Sequence, residues 1–223
     1  KNIKVPMSPE QARAYKDMRK ELITFIEDLK TNATHASVAM QATTKAIRLQ
    51  QICCGFIKSE TGEEIPFKNN PKLDITRELL EQITTQHKVI VWTSFIANYK
   101  MLAQMLEQIG IEYVLLTGQQ SNLEKENAIE RFNNEQGTRV IVCNRKTGGT
   151  GINLTQASYS IVYGRDFNLG NELQSEARNY RAGSEAHESI TKINLVMEGT
   201  IDEQVMEALE SKQEISKIIL DII

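Results

Sequence analysis

The segment Val89-Ile90-Val91-Trp92 is a run of apolar, mostly β-branched residues without polar alternation, and similar runs recur along the chain. A continuous apolar run of this length is typical of a strand that is buried on both faces, as in a parallel sheet. Helical segments with one apolar face separate the runs, such as the segment with Leu123, Ala128, Ile129 and Phe132. The other runs are Tyr113-Val114-Leu115-Leu116, Val140-Ile141-Val142, Ser160-Ile161-Val162-Tyr163 and Ile193-Asn194-Leu195-Val196.

This alternation predicts both the fold class and the division of the chain. Over residues 72–223 it predicts an α/β fold, an open parallel sheet of five or more strands flanked by helices and closed by a C-terminal helix. Residues 1–71 show the pattern of a helical arm and linker, in which Ser8 and Gln11 form a capping box and a polar, turn-rich stretch follows Ser59. Ser121-x-x-Glu124 and Thr200-x-x-Glu203 predict two further helix starts.

Composition excludes several classes of protein. The 223 residues are 40% hydrophobic and 25% charged, which is typical of a globular chain. No apolar run approaches the roughly 18 residues of a membrane helix, and the first thirty residues do not resemble a signal peptide, so we expect an intracellular protein with no membrane partner. Three cysteines without metal or disulfide spacing indicate no metal site, and we expect Cys53 and Cys54 to be buried. A chain that begins with Lys1 indicates a fragment of a longer protein.

The charge of the chain is unevenly distributed. The formal net charge is −3, whereas residues 138–183 hold six basic and three acidic side chains and are net positive. This segment is a candidate for contact with phosphate. In an open parallel sheet, ligands bind beyond the carboxyl ends of the strands. We therefore expect the candidate site in the loops there, which begin with Thr93-Ser94, Thr117-Gly118, Asn144 and Arg165.

Two segments in these loops carry candidate chemistry. The segment Lys146 to Asn153 is the densest glycine cluster, but it lacks the third glycine of a dinucleotide fingerprint, and no glycine in the chain precedes a lysine as in a P-loop. Gln174, Arg178 and Arg181 share one face of a predicted helix. Two guanidinium groups on one face form either a phosphate clamp with arginine fingers or an ordinary solvated helix face, and their spacing leaves both open.

Taken in order, these segments resemble the C-terminal RecA-like lobe of superfamily-two helicase-type ATPases, specifically the Swi/Snf-like double-stranded-DNA translocases. The resemblance covers nearly the whole chain, and residues 1–71 resemble the helical protrusion of that family. Departures from the family pattern are Thr147 in motif V, Phe167-Asn168-Leu169 after the fourth strand, and Ser184 after motif VI. The matching segments are Lys88 to Phe95 for motif IV, Leu116-Thr117-Gly118 with Phe132-Asn133 for the stretch after it, Lys146 to Leu154 for motif V and Gln174 to Gly183 for motif VI.

The resemblance implies an ATPase divided between two lobes. ATP with Mg would be bound mainly by an N-terminal RecA-like lobe of the same parent chain, so the fragment alone is expected to be inactive. Arg178 and Arg181 would act as catalytic arginine fingers, and Gly149, Gly151, Asn153 and Gln174 would lie near the nucleotide. The residues expected to face the backbone of double-stranded DNA are Thr93, Ser94, Thr117, Gly118, Lys146, Thr147 and Thr150. We further expect a monomer, cytoplasmic if of bacterial or viral origin and nuclear if eukaryotic.

Two alternatives remain at this point. The chain could be a non-catalytic RecA-like module that binds nucleic acid or protein. It could also be a small-molecule transferase on a Rossmann-like sheet that uses the loop Gly148 to Gly151. Trp92 is expected in the core rather than in base stacking, and Ser94 is a candidate N-cap for the helix that follows it.

Overall fold

A computed structural model describes residues 1–32, 35–59, 61–144, 153–165 and 190–211 of the chain. Strands and helices alternate from α3 to β6, as the apolar runs predict. The helices are α1 (Pro9–Asn32), α2 (His35–Cys53), α3 (Pro71–Ile83), α4 (Ile96–Gln108), α5 (Asn122–Asn134) and α6 (Ile201–Glu210). The strands are β1 (Asn2–Val5), β2 (Phe56–Lys58), β3 (Glu64–Pro66), β4 (Lys88–Trp92), β5 (Tyr113–Leu116), β6 (Val140–Cys143), β7 (Ala157–Val162) and β8 (Thr191–Met197).

Within the described ranges, six strands form one sheet in the order β1-β8-β7-β4-β6-β5. The pairs β4–β6, β4–β7, β5–β6 and β7–β8 are parallel. At the edge strand β1, the Lys1 carbonyl accepts from the Asn194 N–H (2.8 Å) and the Val5 carbonyl from the Glu198 N–H (2.9 Å), so β1 also runs parallel to β8. The predicted α/β fold with an open parallel sheet is therefore confirmed.

The strand predictions are accurate where the apolar run is continuous. Strands β4, β5, β6 and β8 contain the predicted runs. Strand β7 begins at Ala157, three residues before the predicted Ser160, and ends before Tyr163, which is nevertheless fully buried. Strand β1 was not predicted, because Asn2-Ile3-Lys4-Val5 alternates polar with apolar residues over only four positions. Its pairing with β8 depends on a partner about 190 residues away in sequence.

Capping boxes decide two of the helix starts. At α1, Gln11 N–H donates to Ser8 Oγ (3.3 Å) and Ser8 N–H donates to Gln11 Oε1 (3.1 Å), as predicted. At α5, Glu124 N–H donates to Ser121 Oγ (3.3 Å) and Ser121 N–H to Glu124 Oε2 (2.7 Å). The box predicted at Thr200 is wrong in detail, because the side chain of Glu203 accepts instead from the Gly199 N–H (3.2 Å).

One further expectation fails locally. Leu123 was predicted on the apolar face of its helix, but it is 66% exposed, because it lies in the first turn of α5 and only Ala128 and Phe132 of this helix are buried. The turn-rich stretch predicted from Ser59 to Pro71 contains the turn between β2 and β3, which pair antiparallel with Lys58 opposite Glu64. Gly62 in the connecting turn has φ +90°, which glycine adopts without strain.

The chain divides into two units. One comprises residues 1–3 and 73–195, and the other comprises residues 4–72 and the chain from residue 196 on. The core of the first unit lies around the sheet, where Trp92 is buried, as expected. No helix in the described part of the chain has the length and apolar character needed to cross a membrane. The core cluster contains Ile90, Trp92, Val114, Leu116, Ala128, Phe132, Ile141, Cys143, Leu154, Ala157 and Val162.

The second unit is organised around a buried ion pair. Lys72 Nζ lies 2.6 Å from Asp202 Oδ2, and the two side chains are 1% and 9% exposed. The same carboxylate oxygen accepts from the Met197 N–H (3.2 Å), and Tyr15 Oη accepts from the Ile201 N–H (2.7 Å). These contacts attach the start of α6 to the start of α3 and to α1. Cys53 and Cys54 are buried in this unit, as predicted.

Removing only the carboxylate of this pair should lower the stability of the folded protein. We expect Asp202→Asn to lower the free energy of unfolding by about 3–5 kcal/mol, because the Lys72 ammonium stays buried without its counter-charge. The double variant Lys72→Met/Asp202→Asn should be less destabilised than Asp202→Asn alone. Urea denaturation measures both. The exposed pair Lys4–Glu203, 3.1 Å apart, supplies the control: Lys4→Gln should cost under about 1 kcal/mol. Equal losses for Asp202→Asn and Lys4→Gln would contradict this account.

Because its thiols are buried, we expect the folded protein to lose stability at alkaline pH. Burial raises the pKa of Cys54 from 9.0 to about 12. The unfolded chain therefore loses this proton first, so stability is full below pH 9 and falls as the pH rises from 9 toward 12. The slope is about 1.4 kcal/mol per pH unit for each such thiol. Urea midpoints between pH 7.5 and 10.5 under reducing conditions should fall less steeply in Cys54→Ala than in the wild type. Parallel pH profiles would refute the assignment.

Candidate functional site

The carboxyl ends of four neighbouring strands form one edge of the sheet, in the order β7, β4, β6, β5. Trp92 of β4 pairs with Val162 of β7 and with Cys143 of β6, and Cys143 pairs with Leu116 of β5. Because these four residues are level, the segments after them leave the sheet side by side. The structure thus brings Thr93-Ser94, Thr117-Gly118, Asn144 and residues 163–165 to one edge, where the sequence predicted the candidate site.

Thr93 differs from the expectation that its side chain faces a ligand. It is 0% exposed, its N–H donates to the Cys143 carbonyl (3.0 Å) and its hydroxyl donates to Asn98 Oδ1 (3.0 Å). Thr93 therefore continues the sheet by one residue and attaches the end of β4 to the first turn of α4. Its side chain positions the edge and does not present a hydroxyl at the surface.

Ser94 joins the adjacent segments at this edge. Its side chain is partly exposed, its hydroxyl lies 3.4 Å from the Gly164 carbonyl, and its own carbonyl accepts from Asn144 Nδ2 (3.3 Å). The alternative role of Ser94 as a helix cap is wrong, since the N-cap of α4 is Phe95. A 3.4 Å contact is a weak hydrogen bond, so this hydroxyl can turn toward a ligand at little cost.

The two helix starts at this edge have opposite local chemistry. In α4 the N-cap residue, Phe95, makes no side-chain cap hydrogen bond, and the first turn holds no acid. In α5 the Ser121–Glu124 capping box occupies the N-terminus, and hydrogen bonds from Ser121 lower the pKa of the Glu124 carboxyl, so it stays ionised at neutral pH. Because the N-terminal dipole and N–H groups of a helix attract anions, the start of α4 suits an anion and the start of α5 repels one.

In the turn after β5, a side chain of the turn itself accepts from a backbone N–H group. Thr117 N–H donates to Gln120 Oε1 (2.7 Å), and Gln120 Nε2 donates to the Leu115 carbonyl (3.1 Å). Thr117 is partly exposed and Gly118 is exposed. These two predicted residues are therefore at the surface, but the Thr117 N–H is already bound to an acceptor from the same turn.

Sequence reasoning missed a chain of hydrogen-bonded polar side chains near the end of β7, of which Arg165 and Asn194 are buried. Arg165 Nη2 donates to Asn194 Oδ1 (2.6 Å), and Asn194 Nδ2 donates to Asn2 Oδ1 (2.7 Å). Arg165 is 5% exposed. The available signal was an asparagine inside the apolar run of β8, which a strand buried on both faces accommodates only with a hydrogen-bonding partner. These hydrogen bonds connect the residues that follow β7 with β8 and β1.

Asn153 lies away from the other predicted residues. Its carbonyl accepts from Asn133 Nδ2 (3.1 Å), near the end of α5, where Lys88 Nζ at the beginning of β4 donates to the Glu135 carbonyl (2.7 Å). Four residues later, Ala157 begins β7. Asn153 is therefore at the amino edge of the sheet, roughly 15 Å from the carboxyl edge for strands of this length. The structure does not bring it together with Thr93, Ser94 or Thr117.

The remaining predicted residues, Lys146, Thr147, Gly149, Thr150, Gly151, Gln174, Arg178 and Arg181, lie outside the described residues. Among the residues that are described, no group of three His, Cys, Asp or Glu side chains could hold a metal ion. The described part of this edge thus presents the Ser94 hydroxyl and a helix start whose N-cap residue makes no side-chain cap hydrogen bond.

Comparison with known proteins adds to this geometry. The family model of the helicase conserved C-terminal domain matches residues 71–183. The chain is 32% identical over 221 residues to the Bacillus subtilis protein YwqA, described as an ATP-dependent helicase/translocase, covering 97% of this chain and 23% of YwqA. The Sulfolobus solfataricus SWI2/SNF2 ATPase C-terminal domain is 25% identical with a TM-score of 0.74, covering 95% of this chain and 85% of that one.

A second solved structure is the Sulfolobus solfataricus SWI2/SNF2 ATPase core in complex with dsDNA, which is 25% identical with a TM-score of 0.79 and covers 97% of this chain and 46% of that one. The chain thus spans less than a quarter of YwqA and about half of the solved SWI2/SNF2 core. The family model covers more than half of the chain. The chain belongs to the helicase conserved C-terminal domain family, and its fold matches that of a SWI2/SNF2 ATPase C-terminal domain.

Proposed function

We propose that this chain is the second lobe of an ATP-dependent DNA translocase or helicase, that it binds the backbone of double-stranded DNA, and that it needs a P-loop lobe in the same parent chain for ATP hydrolysis. The observation that carries the proposal is the level edge of β4, β6 and β5, where Ser94 and the start of α4 lie together. Neutral donors in a row bind phosphates without reading base sequence.

The roles of the individual residues follow from their positions. Ser94, Thr117 and Gly118 are proposed to contact DNA phosphates together with Lys146, Thr147 and Thr150, while the buried Thr93 positions them. The SWI2/SNF2 core solved with dsDNA supports a duplex as the ligand. Asn153 is proposed to position the residues before β7 at the amino edge of the sheet, since its carbonyl accepts from Asn133 Nδ2.

The proposed nucleotide chemistry is shared between two lobes. Gly149, Gly151 and Gln174 are proposed to lie near ATP, with Arg178 and Arg181 as fingers on the γ-phosphate. Bound Mg would neutralise charge on the phosphates, and its acidic ligands are proposed to belong to the other lobe. We further propose that residues 1–71 form a helical protrusion, that residues 72–223 form the RecA-like lobe, and that the protein is an intracellular monomer.

The DNA contact can be tested with matched added charges. We expect Ser94→Glu to weaken binding of a mixed-sequence duplex about tenfold or more, because the new carboxylate lies where phosphate is proposed to bind. Gln86→Glu adds the same charge just before β4, at the other edge, and should change the affinity less than twofold. Fluorescence anisotropy at several salt concentrations measures both, and wild-type affinity should fall steeply with salt. Equal effects of the two variants would exclude this edge.

The arginine fingers can be tested in the full-length parent protein. We expect Arg181→Lys and Arg178→Lys to reduce DNA-stimulated ATP hydrolysis about 10³-fold or more, since a finger contributes about 10³ to 10⁵ in related chemistry. DNA affinity and the urea midpoint should remain near the wild-type values. Unchanged hydrolysis in both variants would contradict the proposal and favour a non-catalytic binding module.

A further inference from the structure

The turn between β5 and α5 satisfies its backbone donors with its own side chains. Gln120 bridges the turn, because its carboxamide oxygen accepts from the Thr117 N–H (2.7 Å) and its nitrogen donates to the Leu115 carbonyl (3.1 Å). Close by, the Ser121 N–H donates to Glu124 Oε2 (2.7 Å). Both N–H groups thus bind side-chain acceptors from within the same turn at short distance.

Thr117 lies at the point where a DNA phosphate would approach. It follows directly after Leu116, the last residue of β5, which is level with Cys143 and so with the end of β4. Thr117 is partly exposed and Gly118, which has no side chain to obstruct approach, is exposed. A phosphate oxygen arriving at this turn would seek the same N–H that Gln120 Oε1 now occupies.

We propose that the Gln120 side chain competes with DNA for the Thr117 N–H, so that the β5–α5 turn binds phosphate only after Gln120 has moved away. This inference rests on the proposed function, since it specifies how one part of the proposed DNA surface is regulated. A neutral carboxamide is a weaker acceptor than a charged phosphate, so the exchange is favourable once DNA is close. Leaving the turn costs Gln120 two hydrogen bonds, which lowers the affinity for DNA.

The neighbouring start of α4 carries different side chains. Its N-cap residue, Phe95, makes no side-chain cap hydrogen bond, and no acid lies in its first turn. We therefore expect the Thr117 segment, whose N–H group is held by Gln120, to engage DNA after the Ser94 segment. The acidic Glu124 beside the second segment adds to this difference, because its carboxylate repels phosphate.

The test compares Gln120 with its exposed neighbour Gln119. We expect Gln120→Ala to bind a mixed-sequence duplex about fivefold more tightly than the wild type, the factor that corresponds to one net hydrogen bond. Gln119→Ala should change the affinity less than twofold. Gln120→Glu should bind more weakly than Gln119→Glu, because both add one charge but only the first adds a stronger acceptor at the Thr117 N–H. Anisotropy titrations at one low salt concentration measure all four.

A second measurement does not depend on any substitution. In the ¹⁵N-labelled wild-type chain, the Gln120 side-chain amide and the Thr117 backbone amide should both shift on addition of duplex. Equal or weaker binding by Gln120→Ala, or an unshifted Gln120 amide at saturation, would overturn the inference. Failure of the proposed function looks different: Ser94→Glu and Gln86→Glu would then have the same effect on DNA binding.

Discussion

The parallel hydrogen-bond ladder around β4 determines where every loop of the candidate site lies. It extends beyond the strand itself, because Thr93 N–H donates to the Cys143 carbonyl and the Trp92 carbonyl accepts from the Tyr163 N–H (2.9 Å). Three segments therefore leave the sheet at one level. A shift of one residue in this register would exchange the two faces of β4 and separate Thr93 from Cys143 and Asn98. The arrangement of Ser94 and Asn144 depends on that register.

The segments that follow β4 and β5 at this edge differ in their local hydrogen bonds. The segment after β4 ends in a helix start without a side-chain cap hydrogen bond from its N-cap residue and with a weakly held hydroxyl, whereas the segment after β5 fills its donors with Gln120 and Glu124. Both segments present small residues and follow strands of similar length. The difference arises from Gln120 and Glu124, each of which accepts from the N–H group of the residue three positions before it.

Polar side-chain contacts connect distant parts of the chain. Lys72 and Asp202 are 130 positions apart in sequence, and Asn2 and Asn194 are 192 apart. Burial makes the first contact sensitive to the loss of one partner, because a charge left behind in the interior has no water to replace it. The first pair attaches α6 within its own unit. The second links β1 to β8, and through Asn194 to Arg165 at the end of β7.

The sequence by itself determined the features that depend on near neighbours: the apolar runs of β4, β5, β6 and β8, the capping boxes at Ser8 and Ser121, and the set of loops at the carboxyl edge. The order of its motifs also identified the helicase family. Only the tertiary structure decided that Thr93 is buried, that Asn153 lies at the opposite edge, that β1 joins the sheet and that Arg165 meets Asn194. The physical reason is range: periodicity and capping act within about four residues, whereas burial and strand pairing depend on residues that meet only when the chain has folded.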